Sequence, residues 1–371
     1  MKKVFLIAAA VVALAACSKN EVLPSSSINN EISFNVAPRT KALAAGQIEF
    51  NKELTFQTYA YYLPDGQTWA SHTDTPKTYI DNAKIEFVDS QWKNHDHKYY
   101  WPKQGKLTFL SWTAVKEDWT NDGKLVVNYD PADAACAHDS GLKFSFDAVN
   151  DKNKDILVAD IAANKNANVE TYLATGVPTL FKHQLSYVVF KVRTDKDYNT
   201  AGKKFELNSI KFGESLSKSA TYQQIATTRV AAGWTETAKG EQVYYNGGAN
   251  PKVINYVDLT AEGATVPALT SNYTQNLYLP QTFAENGNEV TIQYTITTTE
   301  GSSISTEGPS ISKDVVTKTF SLNPSTGTKV FTTWEPGKKY TCTLTFSLDE
   351  ITWDPAVQDW DPVTAADITI Q

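Results

Sequence analysis

The chain has 371 residues, 34 of them basic and 41 acidic, for a formal net charge of −7; 12% of it is aromatic. Its three arginines (Arg39, Arg193 and Arg229) lie far apart and its lysines are evenly spread, which excludes the clustered positive charge that binds nucleic acid or an anionic lipid surface. The length exceeds one ordinary core and suits two domains.

The first segment reads as an export signal. Lys2 and Lys3 precede an unbroken apolar run from Val4 to Ala16, which ends in Leu14-Ala15-Ala16-Cys17. A basic start, a short apolar stretch and small residues before a cut site are the parts of a secretory signal. The run is shorter than the roughly 20 residues a membrane-spanning helix needs. Leu-Ala-Ala-Cys matches the bacterial lipobox, so residues 1–16 are expected to be removed and Cys17 acylated, palmitate included, tethering the chain to a membrane. Without Lys2 and Lys3, 32 basic residues stand against 41 acidic ones, a mature charge of −9.

Residues 17–30, with Ser18-Lys19-Asn20-Glu21 and Pro24-Ser25-Ser26-Ser27, are too polar to bury surface and read as a flexible tether. Order is expected from Glu31, where Ile32, Phe34 and Val36 alternate with polar residues as in a strand. Further strands are read at Leu54–Tyr61, Leu107–Trp112, Leu125–Tyr129, Leu142–Phe146, Tyr187–Val192, Val290–Ile296 and Tyr340–Phe346, with turns such as Pro64-Asp65-Gly66 between them. A short helix is expected near Ser219–Ala226, and one turn at Asp130–Ala134. Many short strands and few helices predict an all-β sandwich architecture. The expected division is residues 31–177 and 178–371, because the small-polar run Ala162–Asn168 and Gly176-Val177-Pro178 precede a fresh apolar block at Leu180.

The chemistry-bearing residues form no catalytic constellation. His95-Asp96-His97 has the spacing of a metal pair but no third ligand, and reads as a solvated loop. Asp151-Lys152-Asn153-Lys154-Asp155 opens like a calcium loop, yet Ile156 and Ala162 stand where that template needs Gly and Glu. His183 sits inside an apolar stretch and reads as a packed structural histidine. Cys136 and Cys342 are far apart and read as buried, unpaired thiols, with a single disulfide between them as the alternative in an exported chain. No metal, cofactor or enzymatic activity is expected. Tyr61, Tyr62, Trp69, Tyr99, Tyr100, Trp101, Trp112, Trp119 and Trp234 offer flat aromatic faces that suit either a core or a sugar-stacking platform. A monomeric glycan-binding surface lipoprotein is therefore the alternative reading.

Several phrases, taken together, resemble Bacteroides-type fimbrillins, the subunits and relatives of type V pili. These are the lipobox followed by Ser18–Val22, and Ile32–Val36 leading to Arg39-Thr40. Tyr99-Tyr100-Trp101-Pro102 running into Leu107-Thr108-Phe109, Asp155–Ala159 and Phe181–Leu185 follow. Trp334–Tyr340 comes last, with Ile351, Trp353 and Asp359-Trp360 behind it. The resemblance implies two tandem transthyretin-like β-sandwich domains and a place on the outer membrane, at the cell surface or in a fimbrium. It also implies assembly with other fimbrial subunits or copies of itself, and adhesion to a host or bacterial surface glycan or protein. In that scheme a protease cuts after Arg39, before Thr40. The strand carrying Ile32, Phe34 and Val36 leaves, and a terminal strand of another subunit replaces it. Ile368 and Ile370, alternating with polar residues after Pro362, are the expected donor side chains.

Overall fold

In the computed structural model the described residues are 30–38, 52, 54–69, 71, 76–115, 142–148, 151, 155–167, 172–224, 233–261, 263–269, 276–300, 310–327 and 330–359. They are nearly all β, with a single α-helical turn among them, α1 (Tyr172–Thr175). Strands appear where alternation was read, at residues 34–38, 56–63, 106–115, 143–147, 186–194, 289–300 and 338–346. The stretch Leu125–Tyr129, the turn at Asp130–Ala134, Trp119 and Cys136 lie outside the described residues.

The first half forms an 8-stranded sheet from β1 (Phe34–Pro38), β2 (Phe56–Leu63), β3 (Lys77–Val88), β4 (Gln91–Lys93), β5 (Lys106–Val115), β7 (Asp155–Ala159), β8 (Ala162–Lys165) and β9 (Val177–His183). Its order is β2-β3-β4-β1-β9-β7-β5-β8, and β2 also pairs with β5. The path therefore returns on itself as a ring of seven strands, with β8 hanging from β5. Central strands are apolar on both faces because both faces are covered. On β2, Phe56 and Ala60 point into the ring while Tyr59, Tyr61 and Leu63 point out; on β7, Leu157 and Ala159 point in while Ile156 and Val158 point out.

The outward face is covered by a 3-stranded sheet, β13-β12-β6, made of β6 (Lys143–Asp147), β12 (Ser217–Gln223) and β13 (Trp234–Lys239). Phe144, Phe146, Ala220 and Tyr222 fill the space between the two sheets. The helix expected near Ser219–Ala226 is thus a strand as far as Gln223, and 225–226 lie outside the described residues. Ala220 and Tyr222 alternate inward, and ladders to β6 and β13 satisfy the backbone on both sides. Tertiary pairing decides where local propensity is weak.

The second sandwich packs one sheet, β16-β10-β21-β22, on another, β14-β11-β18-β19, with β15 alongside β11. The first contains β10 (Ser186–Thr194), β16 (Leu277–Tyr278), β21 (Lys338–Phe346) and β22 (Ile351–Asp359); the second contains β11 (Lys203–Phe212), β14 (Gln242–Asn246), β15 (Lys252–Ile254), β18 (Glu289–Glu300) and β19 (Ser310–Ser321). A small two-stranded pair, β17 (Gln281–Thr282) and β20 (Thr333–Trp334), closes one end. Phe190, Tyr340, Cys342, Leu344 and Phe346 meet Phe205, Leu207, Ile210, Ile292 and Tyr294 in its core. The Cys342 thiol is buried and unbridged, and burial pushes its pKa well up, with Asp354 adding to the rise. Only Gln184 and Leu185 separate β9 from β10, and the hairpin β12–β13 reaches back from the second half to cover the ring.

Candidate strand-exchange site

The ring is completed by its first strand. Before β1 starts, Trp101 N donates to Asn30 O at 3.0 Å, Ile32 N to Tyr99 O at 2.8 Å, and Val177 N to Ser33 O at 2.7 Å. β1 then runs parallel to β9 over five register pairs, from Phe34↔Val177 to Pro38↔Phe181. On its other side it meets β4 at one pair only, Phe34↔Trp92. β7 lies on the opposite side of β9, so β1 is the strand partner of Val177–Phe181 on its own side.

The alternation seen in the sequence becomes a row of inserted side chains. Ile32 and Phe34 are buried in the ring, and Val36 packs half-buried against the same cluster. The Phe34 ring stands edge-on to Phe56 (5.4 Å, 87°) and to Phe109 (5.6 Å, 89°), a favourable aromatic geometry. Burying a side chain of this size contributes about 1.5–3 kcal/mol. Glu31, also buried, lies 3.8 Å from Lys93 Nζ, and Lys93 is 3.1 Å from Asp89.

Two residues outside β1 shape its seat. Gly176 has φ +80°, and a Cβ there would stand 2.7 Å from the Phe34 carbonyl carbon and 2.9 Å from Asn35 N. Only glycine lets the backbones approach this closely. Asp155 and His183 form a buried pair, His183 Nδ1 lying 2.8 Å and 3.0 Å from the two carboxylate oxygens. This ties β7 to β9 beside the stretch that receives β1. The packed role read for His183 thus has a named partner, and the parallel pairing, the Glu31–Lys93 contact and Gly176 were missed. None leaves a local signal, because each joins segments remote in sequence.

Lifting β1 away would leave two things: an unpaired edge at Val177–Phe181 and an interior open onto Phe56 and Phe109. An exposed edge beside apolar pockets recruits an extended segment with alternating apolar side chains. Of the other sequence-derived residues, Cys17, Arg39, Thr40, Ile368 and Ile370 lie outside the described residues. The described chain ends at Asp359, on the exposed end of edge strand β22.

Elsewhere the aromatic residues serve mainly as core. Tyr61, Trp69, Trp101 and Trp112 are buried, while Tyr62, Tyr99, Tyr100 and Trp234 are half-buried. Trp234 borders a cavity of about 290 Å³ that is also lined by Ser217, Glu236, Lys239, Gln281 and Asn288. His95 and His97 occupy a loop after β4, His95 lying 3.5 Å from Glu86 and exposed. Among the described residues no group of His, Cys, Asp and Glu is placed to hold a metal ion, and no helix is long and apolar enough to cross a membrane.

Comparison with known proteins agrees with this architecture. A fimbrial protein from Bacteroides vulgatus shares the fold with a TM-score of 0.60 at 17% identity, covering 90% of this chain and 100% of that one. The tip fimbrial protein Mfa3 from Porphyromonas gingivalis, truncated at its C-terminus, aligns over 82% of this chain and 94% of its own with 9% identity and a TM-score of 0.36. No protein of curated function matches by sequence. The fimbrillin-like family pattern matches residues 40–360, so the chain belongs to the fimbrillin-like family.

Proposed function

We propose that this chain is a non-enzymatic subunit or accessory component of surface fimbriae that assembles by strand complementation and supports adhesion. One observation carries the reading: the strand that closes the ring, β1, is also the segment that runs directly into Arg39. Cleavage there frees a strand held by one full ladder and a single further pair. The family match begins at residue 40 and ends at residue 360, which agrees with a core flanked by a removable leader and an exchangeable tail. The tail, with Ile368 and Ile370, is the donor, and export as an outer-membrane lipoprotein acylated on Cys17 delivers the chain to the surface. The chain is organised as two β-units that meet near the β9–β10 connection.

Deletion of residues 360–371 tests the donor role. The truncated, protease-treated protein is expected to stay folded and form no ladders where the full chain does; ladders from the truncated chain would contradict the reading. Palmitate labelling that disappears in Cys17→Ala tests the anchor.

A second reading rests on the cavity beside Trp234. It combines an indole face with a carboxylate, an ammonium and amide groups, the elements of a site for one sugar ring. Ligand-observed NMR with free hexoses, compared between the wild-type chain and Glu236→Gln, tests it. A saturable signal weakened by the substitution supports this reading, and no signal removes it.

A further inference from the structure

Edge strands β19 and β22 of the second sandwich lie on one side, where Phe320 of β19 stands edge-on to Trp353 of β22 with ring centroids 4.7 Å apart. The two edges differ in kind. β22 carries Pro355, which has no N–H, together with Asp354 and Asp359, features that blunt an edge. β19 runs for twelve residues with no proline, no glycine and no bulge in its ladder with β18. Among the described residues no strand pairs with its outer side. Residues 310–315 are exposed on both faces of the sheet. Ile311 and Val315, on the same face, are 61% and 63% exposed, the highest values of any large apolar residue among those described.

We propose that β19 is a self-association edge: it pairs antiparallel with β19 of a second copy of this chain, with Val316 opposite Val316. The register follows from geometry and charge. In an antiparallel pair, opposed residues alternate between those whose backbone groups point at the partner and those whose groups point away. Two copies related by a twofold axis therefore meet only where some residue faces itself. Centring on Lys313, Asp314 or Lys318 sets like charges face to face. Centring on Val315 or Thr317 opposes no charged pair.

Centring on Val316 sets Asp314 opposite Lys318 of the second copy, and symmetry makes this contact twice. On the outward face Val315 then lies opposite Thr317 and diagonal to Val315 of the second copy, within reach for apolar contact. The lysines that guard this edge against indiscriminate pairing thus select one register. A single strand pair buries less than a standard interface, so the free dimer is weak, with a dissociation constant in the micromolar range or above. Chains arrayed on a fibre or a membrane meet at higher effective concentration, which makes this a lateral contact. The surface is separate from the β1 groove and needs no cleavage at Arg39.

Sedimentation of the uncut chain from Ser18 onward, up to about 200 µM, tests the proposal. A concentration-dependent dimer is expected. Asp314→Lys and Lys318→Asp are each expected to weaken it about tenfold, because two cross-strand attractions become repulsions. Combining the two reversals is expected to restore it. Thermal melts check that each variant stays folded; Asp314 is exposed and Lys318 half-buried. A chain that stays monomeric throughout, a dimer indifferent to both single reversals, or no recovery in the double variant would overturn the proposal.

Discussion

Gly176 lacks a side chain where β1 needs the space, and its positive φ adds a second demand for glycine. Gly176→Ala is expected to cost about 1–3 kcal/mol from the backbone conformation alone, with the clash against Phe34 and Asn35 added to it. Urea unfolding checks this, and an unchanged midpoint would show that the close approach is not needed. Phe34→Ala removes two edge-on aromatic contacts and leaves a cavity in the ring, at a cost of about 3–5 kcal/mol by the same measurement. In the second sandwich, burial pushes the Tyr340 phenol up to about 12. The Glu335 N–H bonded to its oxygen opposes that shift, and the Glu335 carboxylate adds to it. The folded state thus holds this proton more tightly than the unfolded chain, whose phenol titrates near its ordinary 10.0. The resulting stability is fully present below pH 10 and is lost as pH rises towards 12. Far-UV dichroism against pH is expected to show weaker alkaline destabilisation in Tyr340→Phe, and an identical profile would contradict the assignment.

At the scale of elements, β1 is the one strand on its side of β9 among the described residues. The amides of Val177, Thr179 and Phe181, which alternate onto the β1 side, are therefore expected to lose hydrogen-exchange protection once the segment ahead of Thr40 is cut and removed. The amide of Lys182, which faces β7 opposite Val158, is expected to keep it. Equal protection before and after removal would mean that β1 does not cover this edge. Much of the element content was legible in the sequence, because Ile32-Phe34-Val36, Val290-Ile292-Tyr294 and Tyr340-Cys342-Leu344 carry the period-2 signal of strands with one buried face. The partners were not legible. That β1 lies beside β9, and that β2 closes the ring by pairing with both β3 and β5, depends on contacts remote in sequence. Ser219–Ala226 was misread because its small and polar residues favour neither period, and its strand is fixed by the ladders to β6 and β13. Of the candidate site, the inserted side chains could be read from alternation; the groove that receives them could not.

For the whole molecule, the three cores divide the consequences of losing β1. The interior of the ring loses Ile32 and Phe34, while the layer under β6, β12 and β13 and the core of the second sandwich contain no β1 residue. Cleavage is thus expected to create one open groove in an otherwise folded protein, which is what assembly by strand complementation needs. Limited trypsin digestion of the lipid-free chain, read by intact and native mass spectrometry before and after, tests this most directly. The account predicts selective cleavage after Arg39, release of the segment that bears β1, and ladder-like oligomers of the remaining chain. A protein that resists cleavage there, or is cut there and stays monomeric at high concentration, would contradict it.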